Sequence, residues 1–489
     1  MRSLNENLWI RPAPASPPRH FTRYSLKFDL DQSHVLLLHG ITGALDVLAA
    51  KEYELLRRGP EEYAIRDPAT AGRLAARGYL HADSQQEADL KTDLVQAIAA
   101  QLPQRDAIFM LCPTDFCPMG CSYCFAKGRP GKARREAMSE AMIEGAFATI
   151  EQIRIRWARK VSRVVLYGGE PFQEFTAPAV AKIFELACRQ GMSVAAFSNG
   201  LGLGRFKGLF ADNAQNIDVI SITLDGIGRE HDTFRMIDHS FDRAVESIEM
   251  LIALGVRVQI KTNLNKRNIG RIPMMADFFR KKGWWDAETV FFELSPIQYQ
   301  GLHQERDTTT NIELALDFLE MLRADPSLGR FDFLPLVDNK YHLLDGLGIH
   351  PFPAEKIPLY SLVPRIHNCP SYSKHMFVFG ADGRFYLCNE EVGEDHACFG
   401  KCGDGRALDV DRMDDYFTRD VTALDGCDTC PYAMFCGGGC GHHAGSQERH
   451  FCGTLQADFA EIVRRYRDHI LARTEGHTVH LPHSDCGCG

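Results

Sequence analysis

The feature that most constrains this 489-residue chain is the grouping of its sixteen cysteines. Three fall in the run Cys117-Pro-Met-Gly-Cys121-Ser-Tyr-Cys124, and a larger group lies between Cys369 and Cys452. Thiols at such close spacings are metal ligands before they are anything else. A zinc knuckle usually pairs two CxxC units, and no fourth ligand follows the first run closely. Three thiolates instead suit a four-iron, four-sulfur cluster whose fourth iron stays open to another ligand.

Composition narrows the partners. The net charge is −9, and no Lys/Arg run is long enough to track a phosphate backbone, so nucleic acid is excluded as a partner and a peptide or small molecule fits better. The first residues, MRSLNENLWIRPAPASPPRH, lack an apolar signal region, and no stretch approaches the roughly 18 consecutive apolar residues of a membrane span. The expectation is a cytoplasmic protein with no membrane partner. Reduced cysteines follow from that setting. Cys188, alone in the apolar pattern KIFELACRQG, is expected in a core.

Length implies two or three domains, although a barrel alone can exceed about two hundred residues. Residues 1–105 read as a Pro-rich lead-in followed by an N-terminal module. It has two short strands in YSLKFDL and HVLLLHG, helical stretches in GALDVLAAKEYELLRRG and PATAGRLAARG, a strand in YLHAD, and a helix around EADLKTDLVQAIAAQ. That order is winged-helix-like. Residues 106–350 then alternate apolar strands (AIFMLCPTD, RVVLYG, SVAAFSN, DVISITLD, VRVQIKTNL, VFFELSPI) with amphipathic helices such as FDRAVESIEMLIALG. The fold class is α/β, a partial (β/α)6 barrel with ligand groups at the C-terminal strand ends. Residues 351–475 hold the second cysteine group, and residues 476–489 form a tail with Cys486 and Cys488.

The run Cys117, Cys121, Cys124, with Tyr123 ahead of the last, resembles the CxxxCxΦC signature of the radical S-adenosylmethionine (SAM) superfamily. Later motifs fall where that resemblance expects them. Gly168-Gly169-Glu170-Pro171 follows the second strand and resembles the motif for the SAM amino group. Ser198-Asn199 ends the third strand and Thr223-Leu224-Asp225 the fourth, at places where relatives contact the ribose and carboxylate of SAM. His231-Asp232-Thr233-Phe234-Arg235 resembles an HDxxR stretch of peptide-modifying relatives. No chemistry is assigned to it, since an Asp and an Arg three apart on a helical turn can simply pair.

The pattern Cys369, then Gly383 to Cys388, then Cys427, Cys430, Cys436, Cys440 and Cys452 resembles the C-terminal SPASM domain, which carries two further four-iron clusters. The resemblance implies three [4Fe-4S] clusters and SAM. It places Cys427, Cys430, Cys436 and Cys452 on an outer auxiliary cluster and Cys369, Cys388 and Cys440 on an inner one. The inner cluster is one thiolate short. Either it keeps an open iron, or Cys398 or Cys402 closes it.

By the same resemblance the protein is a radical SAM maturase and an oxidoreductase. It would abstract a hydrogen atom and install a thioether or carbon–carbon crosslink in a ribosomally made peptide, with a flavodoxin- or ferredoxin-type electron donor. The N-terminal module would grip a leader peptide along a strand edge, or serve only as packing. A sulfatase-maturase-like, formylglycine-forming enzyme is the alternative, disfavoured because Asn389 stands where that group has an acidic residue. A non-catalytic iron–sulfur carrier would need neither the GGEP motif nor an open iron. No catalytic proton acceptor is assigned.

Overall fold

The computed structural model describes residues 1–4, 18–102, 106–124, 126, 134–297, 311–349, 364–402 and 408–474. Two compact units emerge. The first gathers Met1–Leu102, Val337–Tyr372 and Thr418–Gly489, and the second Pro103–Leu336 and Ser373–Phe417. The stretch 351–363, the Gly-rich residues 403–407, and Cys486 and Cys488 lie outside the described residues.

In the first unit, β1 (Arg2–Ser3), β2 (His20–Phe21), β3 (Ser25–Asp29), β4 (His34–His39), β5 (Leu45–Ala49) and β6 (Leu80–His81) form two small sheets. One has the order β1-β5-β4-β3, antiparallel throughout; the other pairs β2 with β6. The helices are α1 (Ala50–Arg58), α2 (Pro60–Arg66), α3 (Pro68–Ala76) and α4 (Ser84–Gln101). The sequence reads Gly43–Gly59 as one helix, but its first part is strand β5. Leu45, Val47 and Leu48 are buried there, and pairing with β4 along five residues overrides their helical propensity. Val35, Leu37, Leu48, Leu56, Leu74 and Tyr79 make this module's core.

A second apolar cluster in the same unit joins Tyr24, Leu90 and Leu94 of the module to Ile366, Val421, Leu424, Cys427, Ala433 and Met434. The module and the later cysteine-rich segment therefore share one core. Polar contacts reinforce it: Tyr24 Oη and Lys91 Nζ donate to the Asp428 carbonyl at 2.5 and 2.7 Å. Gly40 sits so close that a Cβ there would lie 2.0 Å from the Pro431 carbonyl oxygen.

The second unit is built on one sheet. Its strands are β7 (Ile108–Leu111), β8 (Arg163–Leu166), β9 (Ser193–Ser198), β10 (Ile217–Thr223), β11 (Val258–Leu264), β12 (Val290–Pro296), β13 (Phe331–Asp332), β14 (Met376–Phe379), β15 (Arg384–Tyr386) and β16 (Gly400–Lys401), in the order β13-β12-β11-β10-β9-β8-β7-β14-β15-β16. From β13 to β14 every pairing is parallel, and β14-β15-β16 are antiparallel. All six expected β/α strands are present, in order. Crossover helices include α5 (Glu140–Arg156), α6 (Ala177–Arg189), α7 (Lys207–Asn213), α8 (Arg229–Arg235), α9 (Ser240–Ala253) and α10 (Ile272–Lys281). Parallel strands need such crossovers and become buried on both faces, which accounts for the apolar runs of β8, β9 and β10.

The β14–β15 hairpin, read from the sequence only as part of the second cysteine group, extends this sheet. Met376–Phe379 pairs in parallel with Ile108–Leu111, and Phe109 stacks on Phe377 at 4.8 Å. Among the described residues, no helix is long and apolar enough to cross a membrane.

Candidate cluster and cofactor site

The C-terminal ends of the parallel strands open on a cavity of about 560 Å³. Cys117, Cys121 and Cys124 line it together with Tyr123, Gly169, Glu170, Ser198, Asn199 and Thr223. Of the other residues expected at the cofactor, Gly168, Pro171 and Asp225 are not among those lining the cavity. In chain order these groups come from four different strand ends, so only the sheet brings them together.

The loop after β7 is fixed by the turn after β8. Gly169 N donates to the Thr114 carbonyl at 2.9 Å, and Glu170 N to the Phe116 carbonyl at 2.8 Å, one residue before Cys117. Gly168 has φ +120°, and a Cβ on Gly169 would lie 2.3 Å from the Phe116 oxygen. The two glycines thus let the turn lie against the cysteine loop of the same chain.

Glu170 is buried, and its carboxylate accepts from Asn199 N at 2.7 Å, Ser198 Oγ at 2.9 Å and Phe172 N at 3.1 Å. Burial pushes its pKa up to about 7 in spite of these donors. A buried carboxylate at a cavity wall, held near neutrality, is suited to accept an ammonium group and gain its charge on doing so.

Asp225 organises the next strand ends. Its carboxylate accepts from the Tyr123 hydroxyl, from Asn263 N at 3.0 Å and from Asn263 Nδ2 at 3.2 Å; its N–H donates to His231 Nδ1 at 3.2 Å. Burial keeps His231 neutral, with a pKa near 4. Asp232 and Arg235 do not pair with each other. Asp232 receives His239 N, Ser240 Oγ and Phe241 N at the start of α9. Arg235 reaches back to Tyr123 Oη at 2.6 Å and Cys121 Sγ at 3.5 Å, with Nε 3.7 Å from Asp225. The i,i+3 pairing expected from sequence gives way to long-range partners for both residues.

A further set of lining residues carried no sequence signal. Lys261 on β11 and Glu293 on β12 are register partners 2.9 Å apart, and Glu293 also accepts from Gln259 at 2.9 Å and Ser295 at 2.6 Å. Tyr167 packs edge-on to Phe197 and accepts from Asn389 Nδ2 at 3.1 Å. Alternation along strands already identified could have placed Lys261, Asn263, Glu293 and Ser295 on one face.

The chemistry of the donors fits a cluster at the first run. Three thiols line one cavity, with a guanidinium against one of them. Ligands of a cube-shaped cluster bind different irons and stand farther apart than ligands of one ion. In the first unit, Cys427, Cys430, Cys436 and Cys452 are near enough to act on one another: burial and then the other three thiols push Cys427 up to about 11. Cys369 and Cys440 both bear on Tyr372, whose hydroxyl accepts from Gly441 N at 2.8 Å. Cys388 belongs to the second unit, two residues past the end of β15.

Cys398 and Cys402 also lie in the second unit. The Cys398 thiol donates to the Gly400 carbonyl at 3.1 Å, and buried Cys402 lies 3.4 Å from the Thr149 hydroxyl on α5. Cys188 is half-buried on α6 instead of in the core, its thiol 3.6 Å from Asn213 Oδ1.

These groups gather at the ends of a parallel sheet, and residues 111–278 match the radical SAM superfamily. The fold is similar to that of Streptococcus suis SuiB bound to precursor peptide SuiA, with TM-score 0.55 and 14% identity over 90% of this chain and 100% of that one. It is also similar to anSMEcpe with bound AdoMet and Cp18Cys peptide, with TM-score 0.51 and 14% identity over 76% of this chain and 99% of the other. By sequence, Fe-coproporphyrin III synthase of Methanosarcina barkeri is 26% identical over 34% of this chain and 39% of its own length. Pre-heme d1 synthase of Dinoroseobacter shibae is 27% identical over 42% and 46%. The chain thus spans less than half the length of these two curated relatives.

Proposed function

We propose that this chain is a peptide-modifying radical SAM maturase with a C-terminal SPASM domain, in which Cys117, Cys121 and Cys124 hold the SAM cluster. Held there, a [4Fe-4S] cluster together with SAM would supply radical chemistry able to take a hydrogen atom from an unactivated carbon. The observation that carries the reading is the single cavity shared by those thiols and the buried Glu170 carboxylate. Glu170 would take the SAM ammonium, while Ser198 and Asn199, tied to it by hydrogen bonds, would orient the neighbouring part of the ligand. Tyr123, Gly168, Gly169, Pro171, Thr223 and Asp225 complete this binding end.

The further lining residues Lys261, Glu293, Tyr167, Phe197 and Asn389 would position the substrate and exclude water. Cys427, Cys430, Cys436 and Cys452 would hold an outer auxiliary cluster, and Cys369, Cys388 and Cys440 an inner one. Two solved structures of similar fold were determined with a bound peptide, which supports a peptide as substrate class. The N-terminal module would bind a leader segment along a sheet edge, and a flavodoxin- or ferredoxin-type donor would supply electrons. The product would be a thioether or carbon–carbon crosslink, formed with loss of two hydrogens: one would leave as an atom to the SAM-derived radical, the other as a proton whose electron would pass to an auxiliary cluster. Asn389 weighs against formylglycine formation: it is neutral and lines the cavity as a donor to Tyr167.

The test is production of 5′-deoxyadenosine from SAM and reductant by the reconstituted protein, with mass analysis of a short peptide encoded beside its gene. Replacing Cys117, Cys121 and Cys124 by Ala should remove one cluster's iron and all SAM cleavage. Continued SAM cleavage by that variant would refute the reading.

A further inference from the structure

Arg235 is a buried cation for which the proposed chemistry has no use. It ends α8 and touches three groups that are distant in sequence: the Cys121 thiol at 3.5 Å, the Tyr123 hydroxyl at 2.6 Å and the Asp225 carboxylate at 3.7 Å. Its guanidinium carbon also lies 5.9 Å from the Tyr123 ring centroid. A guanidinium stays protonated in proteins, so this contact brings a cation to the cysteine loop.

The geometry is that of a clamp. Tyr123 Oη donates to Asp225, which also receives the backbone and side chain of Asn263. Two residues of the cysteine loop are therefore fixed, through one side chain, to the ends of β10 and β11. The guanidinium also aims an N–H at Cys121 Sγ, a charge-assisted contact that would be stronger to a metal-bound thiolate than to a neutral thiol.

We propose that Arg235 is a positioning residue for the cluster on Cys117, Cys121 and Cys124. It clamps Cys121 to the fourth and fifth strand ends and, by placing a fixed positive charge and an N–H donor on a cluster sulfur, holds the cluster's reduction potential up. Reduction adds negative charge to the cluster, and a cation in a water-poor site stabilises that charge strongly. Donors to ligating groups outside the metal's own shell tune metal sites in the same way. The proposal rests on the reading that this run holds the SAM cluster.

The experiment uses the reconstituted full-length chain and two variants, Arg235→Lys and Arg235→Gln. The readout is the midpoint potential of the cluster whose reduced paramagnetic spectrum changes when SAM is added. Arg235→Gln should shift that potential to more negative values, Arg235→Lys by less, with thermal melting close to the parent. If Arg235→Gln folds but takes up one cluster fewer while Arg235→Lys loads fully, the requirement for charge is met at assembly and the proposal also stands.

Unchanged potentials in both loaded variants overturn it. So does failure of both folded variants to load, since the guanidinium would then be only a scaffold. Should the Cys117/Cys121/Cys124→Ala variant keep the SAM-responsive spectrum, it is the assignment of the cluster that fails, not the role of Arg235.

Discussion

Glu170 shows at the level of one residue how burial turns a structural carboxylate into a tunable one. Its folded pKa of about 7 lies above the ordinary 4.5, so between those values the folded state binds the extra proton. Stability should therefore fall as pH rises from about 4.5 to about 7 and level off above, this group favouring the fold most in its neutral form. Ligand affinity should run the other way. An ammonium needs the carboxylate, so SAM should bind more tightly as pH rises through about 7, measured by calorimetry on the cluster-loaded protein. Glu170→Gln should remove that pH dependence and weaken binding roughly tenfold or more, the scale of one charge-assisted hydrogen bond.

Gly169→Ala should be costly, because its Cβ would meet backbone at 2.3 Å with nothing flexible to yield. A loss of about 2 kcal/mol or more in denaturant unfolding is expected. The cysteine run and the GGEP turn were legible because each is local in sequence. The Arg235–Tyr123–Asn263 network was not, since its bonds join residues 112 and 140 positions apart. For Arg235 the nearby Asp232 offered a plausible local partner that the fold gives to α9.

Among the elements, α9 illustrates what that exchange achieves. Asp232 satisfies the orphan N–H of Phe241 together with His239 N and the Ser240 hydroxyl, although it lies outside the helix. Asp232→Ala should lower stability by about 1–2 kcal/mol, as lost caps do, and leave the iron content unchanged. Denaturant titration and iron analysis separate this outcome from that of Arg235 variants. The six strands from β7 to β12 were readable because their apolar runs recur between amphipathic helices. Strand β5 was not, since Leu45–Ala49 runs into Ala- and Glu-rich helix sequence and only pairing with β4 defines its end. Strand β14 could not be read as an extension of the sheet, because its parallel partner, β7, lies in a remote part of the chain.

At the scale of the whole molecule, the sequence suggests an N-terminal module that could be removed as a separable peptide binder. The packing argues otherwise. Leu90 and Leu94 of α4 and Tyr24 cover Val421, Leu424, Cys427, Ala433 and Met434 in one apolar cluster. Lys91 and Tyr24 both hold the carbonyl of Asp428, between Cys427 and Cys430. Deleting residues 20–102 would expose that apolar face and release the loop between two thiols proposed as ligands.

The expected result is a protein that loses the outer cluster's iron and aggregates more readily, whatever its affinity for peptide. Residues 103–336 and 373–417 form a compact unit of their own and retain Cys117, Cys121 and Cys124, so any soluble fraction should keep a SAM-responsive cluster. A milder probe is Lys91→Met with Tyr24→Phe, which preserves the apolar contacts and removes both donors to Asp428. Iron content and the spectrum of the outer cluster should change in this double variant, while SAM cleavage without peptide stays near the parent rate. Retention of full iron after deletion of residues 20–102 would show instead that the cysteine-rich segment assembles without the module.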